Sequence, residues 1–493
     1  MRNATQTLRA LALCAGVLGC AIAASAQASM PAGKLSHAGR WLTDSRGRVV
    51  ITHGENIVSK FAPWAPTAVG FGEDDVRFLI KNGFNTARVG VEWAGVEPEP
   101  GVYDDAMLTR VREVVAMLYR RHIGVILDSH QDMYNPRYQG NGFPDWALND
   151  EGLPNPQLGF PDNYFGNPAL WRSFENFWAN KPAPGDAVGV QDRFVAMWQH
   201  VAAFFANVPG VFGYEIMNEP FPGSEWTTCS NPEGCPLSDE KLSAFYRKVD
   251  QAIRSVDQHT LVWYEPNVSF DFGANTHVTP LGPGSGFAFH DYCLANEAEG
   301  CPTHETTIDN AEKYVAASGD PLLMDEWGAT NGVSDLRTMV SLADQHMVPW
   351  MEWEYCWCNE GGPGQHNPQG MIYDENNPPA GENLNSAVYE ALVEPYPQLV
   401  AGTPRSWGFD RASRTFTFSY ATEAAGGTAP FRPGSVTRVS TPRFSYPHGF
   451  GVQVSGGRLV SKPGARLTRI ASCPGASEVA VTIAAAIAPS QGC

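Results

Sequence analysis

Between Val211 and Pro220 the chain reads VFGYEIMNEP, an apolar run that closes on Asn218, Glu219 and Pro220. An ionised carboxylate at the end of a hydrophobic strand costs free energy unless something uses it. The same construction recurs along the chain. RVVITHGEN, FNTARVGVEW, GVILDSHQD, TLVWYEPN, GFAFHDYC, PLLMDEWG and MVPWMEWEY are each apolar through the middle and polar at the C-terminal end. Amphipathic stretches separate them. In DAMLTRVREVVAMLYRRH, Leu108, Val111, Val115 and Leu118 fall on one helical face, and similar periods run near 192–207, 239–256, 309–318 and 335–346. Repeated strand-then-helix units of this kind predict an α/β fold whose parallel sheet closes into a (β/α)8 TIM barrel. An open doubly wound sheet is the competing architecture. It would carry a Gly-rich phosphate loop after its first strand, and THGENIVSKFAP is not one.

A barrel gathers the polar strand ends on the face where such enzymes assemble their sites. Arg88, His130, Asp132, Asn218, Glu219, His290, Tyr292, Glu326 and Trp353 all occupy such ends. Singly, each reads as a strand-end residue facing water; together they point to a shared mouth.

The chain of 493 residues exceeds one ordinary core. The barrel is expected over 29–398 and a C-terminal β-sandwich over 399–493, where TFTFSYAT, VTRVST, FGVQVS and VAVTIAAA read as short strands. EPYPQLVAGTP reads as the linker. An insertion over 133–190, rich in Pro, Asn, Gly and aromatics, is expected to shape the cleft. The net charge of −18 excludes a nucleic-acid partner, whose backbone wants a basic surface.

Arg2 and Arg9 precede LALCAGVLGCAIAA, and ASAQA follows with small residues spaced for a signal peptidase. Residues 1–28 are therefore expected to be a secretory signal peptide, making the protein secreted, extracellular or periplasmic. Lipoprotein anchoring through Cys20 is the weaker alternative, because Leu18 fits that pattern poorly. No later stretch is apolar for long enough to span a bilayer. Without Cys14 and Cys20 the remaining cysteines are even in number, as an oxidising compartment favours. Cys229 with Cys235, Cys293 with Cys301, and Cys473 with Cys493 are the expected pairs. Cys356 and Cys358 are harder, since one intervening residue strains a direct bridge.

The partner for Glu219 is Glu326, at the end of the seventh strand. Two carboxyl groups about 5–5.5 Å apart suit retaining glycoside hydrolysis, and about 6.5–9.5 Å suits inversion. In the retaining scheme Glu326 attacks the anomeric carbon, while Glu219 protonates the leaving oxygen and later activates water. Glu92, Glu215, Glu265, Glu352 and Glu354 compete for these roles. Glu215 should lie deeper, in a structural ion pair; Glu265, followed by Pro266, can face the mouth. Asp325 should point to the opposite side of its strand from Glu326. The hydrolysis needs no cofactor, and no local His/Asp cluster has metal-ligand spacing.

These residues resemble the glycoside hydrolases of the Asn-Glu-Pro barrel type, the retaining clan that includes family 5. The match lies in Asn218-Glu219-Pro220, Glu326, Arg88, His130 and the His290-x-Tyr292 pair, and spans roughly residues 40–395. Within that clan, LDSHQDMYNPRYQGNGFPDWA is similar to the endoglycoceramidases and their glycosylceramidase relatives, with SHQD in place of the commoner MHQD. The resemblance implies hydrolysis of the β-glycosidic bond between glycan and ceramide in glycosphingolipids. The alternative is a β-glucosidase or endo-glucanase of the same clan, acting on glucosides, sterol or simple glycolipids, or β-glucans. A carbohydrate-binding barrel without turnover is a third class, which need not retain both Glu219 and Glu326.

The resemblance gives Lys60, Asp132 and Trp353 contacts to the first sugar. Physically, Asn218 can bond the 2-hydroxyl, His130 and Asp132 can bind hydroxyls, and Tyr292 can donate to Glu326. Arg88 and His290 orient the catalytic carboxylates. Phe143-Pro144-Asp145-Trp146, Tyr164-Phe165 and Pro220-Phe221-Pro222 are expected to line a groove for the lipid. The expected state is a monomer that meets membrane surfaces through its substrate.

Overall fold

The computed structural model describes residues 30–31, 33–293, 301–356, 369–427, 429–488 and 492–493. The expected signal peptide and Cys358 lie outside the described residues.

Parallel strands close into a barrel in the order of the chain. They are β1 (His53–Ile57), β2 (Thr86–Gly90), β3 (Gly124–Asp128), β4 (Val211–Glu215), β5 (Leu261–Tyr264), β6 (Ser285–Asp291), β7 (Leu322–Trp327) and β8 (Trp350–Glu352), with β8 pairing back onto β1. A sheet covered on both faces selects continuous rather than alternating apolar sequence. The helices supply the outer cover. In Asp105–Arg120, Met107, Leu108, Val111, Val114, Val115 and Leu118 are buried, and the Asp104 side chain caps the first turn by accepting from the Ala106 and Met107 amides. The fifth unit departs from the pattern. A single 3-10 turn, Val268–Phe272, stands between β5 and β6, in a stretch too rich in Pro and Gly for a longer helix.

The N-terminal end of the barrel interior is solid. Trp263 fills it, and a Cβ at Gly213 or Gly286 on the flanking strands would meet the indole at 2.5 Å or 2.6 Å. Met30, Leu35 and Leu42 pack beneath with Ile126, Leu323 and Met351. Only the C-terminal end is left for chemistry.

The second body consists of two antiparallel sheets around Trp41, Tyr396, Trp407, Phe416, Phe418 and Ile483. Two features differ from the sequence expectation. The presumed linker contains a strand, Tyr396–Val400, in which every residue is buried. Furthermore, the larger sheet is begun by the N-terminal strands Ser36–Ala38, Trp41–Thr43 and Val49–Val50, the last pairing with Leu399 and Val400. Residues 36–50 thus supply strands to the second body, while Met30, Leu35 and Leu42 pack beneath the barrel.

Disulfides join Cys229 to Cys235, Cys293 to Cys301 and Cys473 to Cys493, as expected, and Cys356 is also disulfide-bonded. Among the described residues no helix is long and apolar enough to cross a membrane.

Candidate active site

Arg88, on β2, is fully buried, and a buried guanidinium is costly unless all its donors are met. All five N–H groups find partners. Nε and Nη2 fork onto Glu215 at 2.8 Å each, Nη1 reaches Glu326 Oε2 at 2.7 Å and Asn56 Oδ1 at 3.1 Å, and Nη2 also reaches Asn218 Oδ1 at 2.7 Å. Burial opposes the charge on Arg88, but Asp128, Glu215 and Glu326 outweigh it and hold the group firmly cationic. Glu215 is the deep structural partner expected from its position; burial would raise its pKa, yet Arg88 holds it well below the carboxylate range.

Glu326 is oriented from two sides, by Arg88 and by the Tyr292 hydroxyl, which donates to Oε1 at 2.6 Å. Burial and the charges of Glu326 and Glu219 push the Tyr292 phenol far up, so it stays a donor. Glu219 faces Glu326 across the mouth. His290 Nδ1 lies 3.0 Å from Glu219 Oε1 and 3.6 Å from Glu326 Oε1. The two oxygens cannot be further apart than the sum of those distances. That limit sits at the lower edge of the ~6.5–9.5 Å that inversion requires and accommodates the ~5–5.5 Å of retention. Burial raises the Glu219 pKa first; His290 opposes this, and the charge of Glu326 adds to it. The negative charge of Glu326 therefore acts second to desolvation in raising it.

The segment DSHQD after β3 organises the other wall. Burial works against charge on His130, but hydrogen bonds to Asp128 and Asp132 carry its pKa up to about 10. Lys60 Nζ donates to Asp132 Oδ2 at 2.6 Å and sits 4.5 Å above the Trp353 ring, which stacks on His130 at 4.9 Å. Lys60, Asp132, Glu219, Tyr292, Glu326 and Trp353 line one cleft of about 580 Å³. Arg88, His130, Asn218 and His290 stand behind that wall. Asn218 Nδ2 donates to the Gln131 carbonyl, which leaves one amide N–H for a hydroxyl.

One orientation differs from expectation. Asp325 does not point away from Glu326: its oxygens lie 3.8 Å from Arg88 Nε and 3.7 Å from His290 Nε2, inside the barrel. The register of β7 against β6 slips between Met324 and Glu326. A bulge of this kind adds one residue and breaks the alternation that the expectation assumed.

Asp128 and Gln131 escaped the sequence reasoning, and Glu265, read there as able to face the mouth, grips a backbone amide instead. Asp128 holds His130 Nδ1 at 2.9 Å; Gln131 Nε2 donates to the Asn218 and Glu219 carbonyls at 3.0 Å each; Glu265 accepts from the Glu219 amide at 3.0 Å. For Asp128 and Gln131 the only signal was their place beside recognised residues. Glu219 itself has φ = 42°, a left-handed conformation costing a non-glycine residue about 1–2 kcal/mol, so its backbone must be held.

The outer cleft is apolar. Met133, Phe160, Tyr164, Phe165, Phe221 and Trp226 line it. Phe143 does not: it is buried between Tyr134, Phe174 and Phe177 in the main core, and Trp146 packs against Trp93. Of the expected groove segments, Tyr164-Phe165 and Phe221-Pro222 reach the cleft, and Phe143-Pro144-Asp145-Trp146 does not. Besides the partly exposed Asp309/Glu312/His346, two carboxylate–imidazole groups among the described residues place donor atoms within 4.8 Å, Glu219/Asp271/His290 and Glu215/Glu265/His290. Both depend on His290. Burial disfavours its charge, but Glu265, Glu326 and Glu219 hold its pKa well up.

A closed parallel barrel whose mouth holds two facing carboxylates, one aimed by arginine and tyrosine and one beside histidine, defines a glycoside hydrolase. The family model of cellulase (glycosyl hydrolase family 5) matches residues 46–359, and that of the glycoside hydrolase family 5 C-terminal domain matches 395–483. The chain belongs to glycosyl hydrolase family 5 and is a glycosidase. It is 31% identical over 467 residues to endoglycoceramidase I of Rhodococcus hoagii (strain 103S), covering 90% of this chain and 87% of that protein. Endoglycoceramidase of Cyanea nozakii is 28% identical, over 78% of this chain and 80% of its own. Among solved structures, endo-glycoceramidase II from Rhodococcus sp. superposes with a TM-score of 0.74 at 26% identity, covering 91% of this chain and 100% of that one. Structures of that enzyme include a lactosyl-enzyme intermediate and a ganglioside GM3 complex.

Proposed function

We propose that this enzyme releases intact glycans from ceramide in glycosphingolipids by retaining double displacement. The observation that carries the reading is a cleft that is polar at Lys60, Asp132 and the two carboxylates and apolar from Phe221 outward to Phe160. Such a cleft takes a sugar and an alkyl chain on either side of one bond. The substrates of the endoglycoceramidase relatives support it.

Glu326, aimed by Arg88 and Tyr292, attacks the anomeric carbon, and Glu219 gives its proton to the departing ceramide oxygen. Glycosylation neutralises Glu326. The pKa of Glu219 then falls, because a negative neighbour has gone. Glu219 next takes a proton from water, the hydroxide displaces Glu326 from the sugar, and the β configuration returns. Asn218 strengthens its bond to the 2-hydroxyl as the ring flattens.

The reading also holds the enzyme to be secreted, monomeric and active at lipid surfaces. Disulfide-bonded cysteines support the first. Exposed Leu158, Phe160 and Phe165 beside the cleft, with Phe160 at 66% exposure, support the last. Incubation with mixed gangliosides and neutral glycolipids, followed by mass spectrometry, is expected to yield free ceramide and intact oligosaccharide. Glucosylceramide as the only substrate, or release of monosaccharide alone, would overturn the assignment in favour of a simple β-glucosidase.

A further inference from the structure

Glu265 follows the last residue of β5 and is 2% exposed. Its main chain is fixed, since the Tyr246 hydroxyl donates to its carbonyl at 2.9 Å. Its side chain meets three parts of the site. Oε2 accepts the Glu219 amide at 3.0 Å, while Oε1 lies 3.3 Å from Arg88 Nη2 and 3.4 Å from His290 Nε2. His290 turns its other nitrogen to Glu219 Oε1. Glu265 therefore reaches Glu219 twice, at the backbone and through the imidazole. The Glu219 peptide lies past the end of β4, outside the barrel ladder, and takes the left-handed conformation that needs an external hold. Gln131 grips its carbonyl, and Glu265 grips its N–H.

We propose that Glu265 is a positioning residue for the general acid–base: it anchors the Glu219 amide and backs the His290 ring, so that the Glu219 carboxyl points at the leaving oxygen. The inference rests on Glu219 as acid–base, and it goes further by assigning the aim of that group to β5. A carboxyl that served only the packing of the barrel would affect all substrates alike. One that aims the proton donor matters only where the leaving group needs a proton.

The test compares kcat/KM on a glycosphingolipid, whose alkoxide leaves poorly, with kcat/KM on a dinitrophenyl β-glycoside, whose phenolate leaves unaided. For E265A the first is expected to fall on the order of 100-fold, as loss of well-placed general acid catalysis does, and the second by no more than about threefold. On the dinitrophenyl substrate kcat is expected to fall as the second step slows, and azide should restore it with release of the β-glycosyl azide. E265N, one methylene too short to reach the Glu219 amide, should repeat this pattern and serves where E265A does not accumulate. Equal losses on both substrates, or no azide effect, would overturn the proposal. E219Q is the control. If it retains full activity on glycosphingolipid, the acid–base reading itself fails; if it shows the leaving-group pattern and E265A and E265N do not, only the role of Glu265 fails.

Discussion

At the scale of the residue, the site divides labour between two carboxyl groups by environment alone. Glu326 has two donors fixed on it, and Glu219 is desolvated beside one imidazole. Glu326→Gln and Glu219→Gln are each expected to lower activity on glycosphingolipid by on the order of 1,000-fold with an unchanged melting temperature, which steady-state assays beside calorimetry would check. Azide should rescue the alanine variants on an activated substrate with opposite stereochemistry, an α-azide from Glu326→Ala and a β-azide from Glu219→Ala. Tyr292→Phe removes a hydrogen bond to a charged group, worth about 1.5–3 kcal/mol, so kcat should fall by roughly 10- to 100-fold. Glu326→Gln should also lower the pKa of Glu219, since the anion that helps hold its proton is gone; carbon NMR titration of labelled glutamate reads this directly. The pairing of Glu219 with Glu326 was legible because both end apolar runs. Asp325 was misread because a bulge leaves no signature in its own letters. Gln131, and the role though not the place of Glu265, stayed hidden because both work through the backbone of another residue, which side-chain type does not report.

At the scale of the element, the barrel announces itself by eight apolar runs with polar ends, and the structure follows that rhythm except between β5 and β6, where Pro and Gly leave only a 3-10 turn. The insertion after β3 was harder to divide. Its aromatics serve two purposes with one composition: Phe143, Phe174 and Phe177 fill the core, while Phe160 and Phe165 remain at the surface. Burial of an aromatic ring depends on which helix lies over it, and no local period encodes that. Phe160→Ser and Phe165→Ser are expected to slow hydrolysis of glycolipid embedded in neutral phospholipid vesicles severalfold, with little change on a water-soluble short-chain analogue. Equal effects on both substrates would confine the role of these rings to the cleft they line and remove the lipid-surface contact.

At the scale of the whole molecule, the barrel and the second body meet through ionisable groups. Asp344, on the helix Val333–His346, accepts from the indole of Trp407 on the strand Thr403–Asp410. Burial pushes the Asp344 carboxyl up to about 7, although Trp407 and Glu394 pull against it. A group whose pKa rises on folding favours the folded state below its unfolded pKa and loses that contribution as the pH climbs through the folded value. Thermal melts should therefore show Asp344→Asn, which keeps an oxygen for Trp407 but cannot ionise, gaining on the unmodified protein from about pH 4 to about pH 7.

The strand Val49–Val50 has a bearing on how the chain is made. It emerges early from the ribosome, yet its partner at Leu399 and Val400 is synthesised only after the whole barrel. Until then Val49 and Val50 present an unpaired edge, of the kind that recruits other chains. A polypeptide cut short near residue 395 would keep that edge for good, so removing the C-terminal body should produce aggregates and not a free-standing barrel.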